Sequence, residues 1–324
     1  MEHKLKIGIT GASGLIGSHI AEILSDHFEL HCLHTSGFIP TILKKKPINW
    51  HKGNLLDIGV AEDFVSGMDF VIHAAAIVSF KDKDVDLMYQ TNVEGTRTIV
   101  NALIGTDTKL IHISSISTLG RKDGDSPIGE DVFWNDNLSH SKYAHSKFLA
   151  EMEVFRGIAE GLDAMIFLPS IVLGNAERGG SSAAIWKQIK RFPSIAPQGA
   201  NGFVDVVDVG TYVQKAIQNW KSGEKVILNG HNRSYQELYQ TVHATKGATV
   251  DVKTFSPTLL AYIQPVAALF FSLFGRSFPV SKTMIETTSK SFQFDNSKSI
   301  ELLGNSYTPF KESIQRLLKE QTAS

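Results

Sequence analysis

Three side chains in this sequence have the types and spacing for proton transfer at a carbonyl group. Tyr143 and Lys147 stand four apart in the run YAHSK, so on a helix they share one face. Ser115 ends the run LIHISS, where a strand would close at the carboxyl edge of an open sheet, the edge at which ligands sit. A serine hydroxyl can hold a substrate oxygen, a tyrosine can donate or accept the proton, and a lysine charge favours the tyrosinate. Tyrosine starts near a pKa of about 10, and each unit of lowering corresponds to ~1.4 kcal/mol. Tyr-x-x-x-Lys alone is common on solvated helices and says little. Ser114 is the alternative serine, because neighbouring strand residues point to opposite faces.

What makes the trio specific is a second motif upstream. TGASGLIG places Gly11, Gly14 and Gly17 between an apolar run, Lys4 to Thr10, and a segment of helical apolar spacing, Leu15 to Leu24. Glycines permit a tight turn, close approach of backbone to a pyrophosphate, and close packing of helix on strand. The helix start adds unpaired N–H groups and a partial positive charge. Strand, glycine turn and helix in that order read as a dinucleotide site rather than an isolated tight turn. The second strand ends in His34, Thr35 and Ser36, with no acid to accept bonds from an NAD ribose. A missing carboxylate removes repulsion against a 2′-phosphate, and the hydroxyls of Thr35 and Ser36 can donate to it. Lys44, Lys45 and Lys46 follow on a loop, where they read equally well as a solvated charge run. The balance favours NADP, with NAD possible.

Elements able to position these groups alternate along the first half. Strands are expected at Lys4–Thr10, Leu30–His34, Phe70–His73, Lys109–Ser114 and Ala164–Leu168, and helices at Leu15–Leu24, Val85–Ile104 and Tyr143–Ile158. Alternation of this kind implies right-handed crossovers and a parallel sheet covered on both faces. Beyond Pro169 the texture changes. Residues 174 to 202 read as a loop around one helix, Phe203–Gly210 as a strand running into a helix, and Lys225–Leu228 as a strand. Ser234 with Glu237 has capping-box spacing, and Pro309 suits a helix's first turn.

The chain has 324 residues, enough for about two structural units. It is 42% hydrophobic and 20% charged, with 32 Lys and Arg against 33 Asp and Glu. That near-neutral balance gives no support to a general grip on nucleic acid or acidic membrane. The single cysteine, Cys32, cannot form an intramolecular disulfide, which suits a cytoplasmic setting. No secretory signal is expected in MEHKLKIGITGASG. Residues 259 to 275 are mostly apolar but carry Gln264 and Pro265 and fall short of the ~20 residues a span needs, so a buried lobe helix is expected over a membrane anchor. No metal is expected: His31 and His34, three apart on a strand, point to opposite faces, and His140 and His145 read as packing or solvent-facing groups.

Taken together, TGASGLIGSHI, GNLLD (Gly53–Asp57), VIHAAA (Val71–Ala76), TNVEGT (Thr91–Thr96), HISS, YAHSK, LPSIVLG and FVDVVDVG resemble the extended short-chain dehydrogenase/reductases of the NAD-dependent epimerase/dehydratase type, over nearly the whole chain. SSISTLG, KYAHSKFLAE and EKVILNGHNRSYQEL resemble its dihydroflavonol-4-reductase-like branch. The resemblance implies an α/β fold, a Rossmann doubly wound parallel sheet with a smaller C-terminal substrate-binding lobe. It places the dinucleotide domain at 1–170 plus about 203–230, and the lobe at about 171–202 and 231–324. It implies catalytic roles for Ser115, Tyr143 and Lys147, with Tyr143 and Lys147 also touching the cofactor. Gly11, Ser13, Gly14, Leu15 and Ile16 would line the pyrophosphate, Asn54 and Leu55 the adenine, and Ala74 and Ala75 the nicotinamide half. Pro169 and Val172 would pack near the carboxamide, and Asn92 would support the site from behind. Asn54 stands where the family usually has Asp, and its amide oxygen still offers an acceptor to the adenine amine.

One departure bears on the reaction. Sugar-nucleotide epimerases of the family usually carry asparagine two residues after the Pro169 position; this chain has Ile171. The expectation is therefore an NADP-dependent reductase of a ketone or aldehyde in a moderately apolar molecule, and the resemblance to the family implies a homodimer formed through two long helices. The alternatives are a nucleotide-sugar epimerase or dehydratase holding NAD tightly, and a non-catalytic nucleotide sensor. Arg178, Arg191 and Arg276 are candidates for a diphosphate, and Trp134, Trp186, Phe192, Tyr262, Phe270 and Phe271 for an apolar pocket or for plain core packing.

Overall fold

The computed structural model describes residues 4–120, 126–135, 140–175, 177, 181–256, 264, 288–304 and 306–323. The first half alternates as β1 (Lys6–Thr10), α1 (Leu15–Leu24), β2 (Glu29–His34), β3 (Ile48–Lys52), α2 (Ile58–Val65) and β4 (Phe70–His73). Then come α3 (Val85–Tyr89), a π turn at Gln90–Glu94, α4 (Gly95–Leu103), β5 (Lys109–Ile113), α5 (Lys142–Ala159) and β6 (Ala164–Pro169). The second half carries β7 (Ile171–Leu173), α6 (Ser181–Arg191), β8 (Ile195–Ala196), β9 (Ala200–Asp205), α7 (Val206–Gln218), β10 (Lys225–Leu228) and β11 (His231–Ser234). It ends with α8 (Tyr235–Thr245), β12 (Lys253–Thr254), α9 (Ser297–Leu303) and α10 (Phe310–Ala323).

Seven strands pair in the order β3-β2-β1-β4-β5-β6-β10, every pair parallel. Strand order reverses between β1 and β4, which makes this the doubly wound fold with its crevice at the carboxyl ends of those two strands. The central strands are buried on both faces, β4 and β6 at every residue. Alternate side chains therefore feed two cores. Ile7, Ile9 and Ile72 meet α1 and α7 on one side, and Val71, Leu110 and Ile166 meet Ile99, Val100 and Val154 on the other.

β9 stays outside this sheet and pairs with β7 and β11 in a three-stranded sheet of its own, where Phe203 of β9 packs with Trp186, Tyr235 and Phe310. α7 and β10 then return to the main sheet, α7 lying against α1 in the same core. The Ser234–Glu237 capping box forms in both directions. Pro309 stands just before α10, its carbonyl accepting from the Glu312 and Ser313 amides (2.8 and 3.1 Å).

In the first half β3 and α2 were not expected from the sequence, and in the second half β7, β8, β11, β12 and α9 were not. β3 is an edge strand whose Asn49, His51 and Lys52 dilute the apolar signal, and α2 is a two-turn helix started by the Asp57 carboxylate on the Gly59 and Val60 amides. The expected single helix Val85–Ile104 is interrupted by the π turn, which contains Asn92. Residues 259–275 lie outside the described residues apart from residue 264.

Candidate active site

Position of the glycine turn follows from contacts that forbid any side chain. Gly11 has φ +74, and a Cβ there would lie 2.5 Å from the Ala75 amide nitrogen and 2.6 Å from the Ala74 carbonyl carbon. A Cβ on Gly17 would overlap the Gly11 carbonyl. α1 thus starts as close to β1 and β4 as backbone allows. Its N-cap, Gly14, has no side chain to cap it, and the first turn holds no acid, so the leading amides are left for an anionic ligand. Ser13, Leu15 and Ile16 are half-buried around it and Gly14 is exposed. This cradle fits a dinucleotide pyrophosphate.

Thr35 and Ser36 are exposed immediately past β2. Lys46 is held by Asp26 (3.1 Å). Asn54 is exposed, and its Oδ1 accepts from the Leu56 amide (3.1 Å), leaving one lone pair for a ligand. The Leu55 side chain is buried in the core beside α4, so only its backbone can face the cleft. Ala74 and Ala75 are half-buried at the end of β4, and Pro169 and Val172 are buried at the ends of β6 and β7. Between them, the buried Ser170 hydroxyl meets no partner among the described residues.

Ser115, Tyr143 and Lys147 converge at the carboxyl end of β5. Tyr143 is on the first turn of α5, whose N-cap Ser141 accepts from the Ala144 amide. Burial pushes the Tyr143 phenol up to about 12, while a hydrogen bond with the Ser115 hydroxyl pulls it down. Ser115 is extended, with its Oγ also meeting the Ser117 amide (3.2 Å) and hydroxyl (3.0 Å). Ser114 points the other way, its hydroxyl on Glu151 Oε2 (2.7 Å). Lys147 is buried and donates to the Ile113 carbonyl (2.8 Å). Desolvation lowers it to about 8, against the pull of Glu151.

Glu151 was missed in the sequence. It lies on the same helix face as Tyr143 and Lys147, at spacings of four and eight, which was the available signal. Fully buried, it accepts from Ser114 and Thr118 (2.7 and 2.8 Å) and pairs with Lys225 of β10 (2.5 Å). Phe80 was missed too. Its ring stands edge-on to Tyr143 (6.1 Å between centroids) and is 62% exposed, giving the phenol an apolar, open neighbour.

The remaining candidates scatter. Trp134 stacks on His140 and Phe148 (3.6 and 4.5 Å) against α5, and Trp186 is buried in the core behind the three-stranded sheet. His145 meets the Tyr89 hydroxyl (2.7 Å), His31 meets His51 (2.9 Å), and His34 accepts from the Gly37 amide. Arg191 is exposed beside Phe192. Arg178, Tyr262, Phe270, Phe271 and Arg276 lie outside the described residues.

Residues 7–229 match the model of the NAD dependent epimerase/dehydratase family. The chain belongs to that family. It is accordingly an enzyme of the epimerase/dehydratase type on a Rossmann fold. A Synechocystis protein named "Putative dihydroflavonol 4-reductase" is 25% identical over 94% of this chain and 91% of its own. UDP-N-acetyl-alpha-D-glucosaminuronate decarboxylase of Bacillus cytotoxicus is 28% identical over 72% of this chain and 78% of its own. A point mutant of UDP-glucuronic acid 4-epimerase from Bacillus cereus, solved with UDP-4-deoxy-4-fluoro-glucuronic acid and NAD, superimposes with a TM-score of 0.76 at 18% identity over 98% of this chain and 99% of that one. At that identity the last comparison speaks for the fold alone.

Proposed function

We propose that this enzyme reduces a ketone or aldehyde in a moderately apolar small molecule with NADPH, Tyr143 giving the proton. The observation that carries the reading is the placement of the Tyr143 phenol next to the Ser115 hydroxyl, with Lys147 one turn along the same helix and an exposed Phe80 ring beside the phenol. Ile171, standing where sugar-nucleotide epimerases of the family usually carry asparagine, and the exposed Phe80 ring beside the phenol favour net reduction over sugar chemistry. The match to the Synechocystis relative points the same way.

The cradle of Gly11, Ser13, Gly14, Leu15 and Ile16 would hold the pyrophosphate, and Asn54 and Leu55 the adenine end. Thr35 and Ser36 would take the 2′-phosphate, and Ala74, Ala75, Pro169 and Val172 would border the nicotinamide. When bound, the nicotinamide supplies the electron pair and hydrogen that the carbonyl carbon takes up. Ser115 holds the carbonyl oxygen, the Tyr143 hydroxyl passes its proton to that oxygen, and the Lys147 ammonium offsets the charge left on the phenolate. A positioned acid of this kind contributes about 10²–10⁴ in rate. We further place the enzyme in the cytoplasm, as a homodimer through α4 and α5.

Native mass spectrometry of the purified protein, followed by titration with NADPH and NADH, tests this reading. The expected result is a two-chain particle, largely free of nucleotide, that takes up NADPH more tightly than NADH and exchanges it. NAD retained through purification would instead mark internal redox on a nucleotide sugar, the substrate class in the name of the B. cytotoxicus relative, and would overturn the reductase.

A further inference from the structure

Hydrogen bonds between the sheet and α4 close into a ring behind the proposed cofactor cleft. The Ala75 amide donates to Thr10 Oγ1 (3.3 Å), which meets His73 Nδ1 (2.7 Å). Across the imidazole, His73 Nε2 meets Thr96 Oγ1 (2.9 Å), and that hydroxyl donates to the Asn92 carbonyl (2.6 Å). The Asn92 side chain then engages both backbone groups of Ile77: its Oδ1 accepts from the amide (2.7 Å) and its Nδ2 donates to the carbonyl (3.0 Å). Ile77 is two residues from Ala75, so the ring is complete. A branch leaves it at Asn92 Nδ2, which also donates to Ser146 Oγ (3.0 Å), and the Ser146 hydroxyl donates to the Tyr143 carbonyl (2.8 Å).

The inventory of hydrogens fixes the direction of every bond. Thr96 has a single hydroxyl hydrogen, committed to the Asn92 carbonyl, so it can only accept from His73, and Nε2 carries the proton. Nδ1 is then an acceptor and receives the Thr10 hydroxyl hydrogen, which leaves a Thr10 lone pair for the Ala75 amide. Only a neutral imidazole satisfies both ends. Thr10, His73, Asn92 and Thr96 are each at most 1% exposed, so no water competes for these groups. Burial, and secondarily the charge of Lys147, pushes His73 down to about 3 and holds it neutral. The π turn puts Asn92 at the junction, and interruptions of this kind recur at functional sites.

We infer that His73, as its neutral Nε2–H tautomer, is a positioning residue: it ties Thr10, which holds the Ala75 amide, to Thr96 and so to the Asn92 turn, whose side chain bridges the 74–77 loop, on the cofactor side of the cleft, to the helix that carries Tyr143. The inference rests on the reading that Ala74 and Ala75 border the nicotinamide. His73 touches neither substrate nor cofactor in this role. It sets where the loop and the phenol stand relative to each other, and a misplacement of about 1 Å costs on the order of 100-fold in rate.

The test replaces His73 by Phe, which keeps a ring and removes both nitrogens, and by Asn and Gln, which restore the Thr10 end and the Thr96 end respectively. Nucleotide affinity is read by cofactor fluorescence and needs no substrate, so a failure to find any carbonyl turnover would count against the proposed reaction and leave this test standing. Expected are a tenfold or greater loss of NADPH affinity, and of kcat where turnover is found, in His73→Phe, with partial recovery in Asn and Gln. Nitrogen NMR of the wild-type protein should show His73 protonated at Nε2 and untitrated between pH 5 and 9, a readout independent of any variant's folding. A His73→Phe protein that melts earlier but binds nucleotide and turns over unchanged would reduce the residue to a structural part and overturn the inference. An Nδ1–H tautomer would do the same.

Discussion

At the scale of single residues, the proposed mechanism would divide its work between a phenol that burial keeps protonated and an amine whose pKa burial lowers. Tyr143, pushed up to about 12, stays a proton donor throughout the working range. Lys147, lowered to about 8, loses its charge on the alkaline side. The kcat/KM for reduction should therefore fall above pH 8, and the free-enzyme profile reads that limb directly. Because Glu151 raises the Lys147 pKa, Glu151→Gln should move the limb to lower pH; a limb that stays in place would remove Lys147 as its source. Stability runs in the opposite sense. The unfolded chain keeps the lysine proton up to about 10.5, so it binds more protons than the fold between pH 8 and 10.5, and Lys147 adds stability as pH rises through that window. Tyr143→Phe should abolish turnover, by about 10²–10⁴, while NADPH affinity stays within a few-fold. Turnover at the wild-type rate would end the proposed mechanism.

At the scale of elements, α1 and α5 were both legible, because their apolar spacing, the glycine turn and the YAHSK run are local signals. β1, β4 and β10 were legible for a related reason: short runs buried on both faces are apolar without interruption. β3 was not, since one exposed face and a polar tail leave an edge strand looking like loop. The π turn was invisible too, because a slip of one residue in a helix leaves the apolar period nearly unchanged. The glycine contact on α1 makes a direct prediction. Gly17→Ala would drive its Cβ into the Gly11 carbonyl, and overpacking of this kind costs ~1–3 kcal/mol. If the helix start holds the pyrophosphate, NADPH affinity should drop roughly tenfold or more by fluorescence titration; unchanged affinity would place the phosphates elsewhere.

At the scale of the whole molecule, the C-terminal helix is tied to the junction of β9 and α7. Arg316 pairs with the buried Asp205 carboxylate (2.6 Å), which also caps α7 through the Val207 amide (2.9 Å), and Thr308 donates twice to Asp208 (2.9 and 2.7 Å). Arg316→Ala would leave Asp205 buried without its countercharge, at about 1–3 kcal/mol. At roughly 2–4 °C per kcal/mol for a large domain, the melting temperature should fall by several degrees. A melting curve that does not move would show that α10 is held by its apolar face alone.

The alternation of strands and helices, the glycine turn and the Tyr143–Lys147 spacing could be read from the sequence, because each is written in local spacing or in a short motif. The sequence left Ser114 and Ser115 as alternatives, and the tertiary structure separated them: β5 turns the Ser114 hydroxyl onto Glu151 of α5, and the chain beyond β5 presents Ser115 to Tyr143. The Glu151–Lys225 pair, the Phe80 ring beside Tyr143 and the ring of bonds through His73 came from the fold. Those contacts join residues tens of positions apart, and their partners are chosen by how strands order in the sheet and how helices lie across it, which no local pattern encodes.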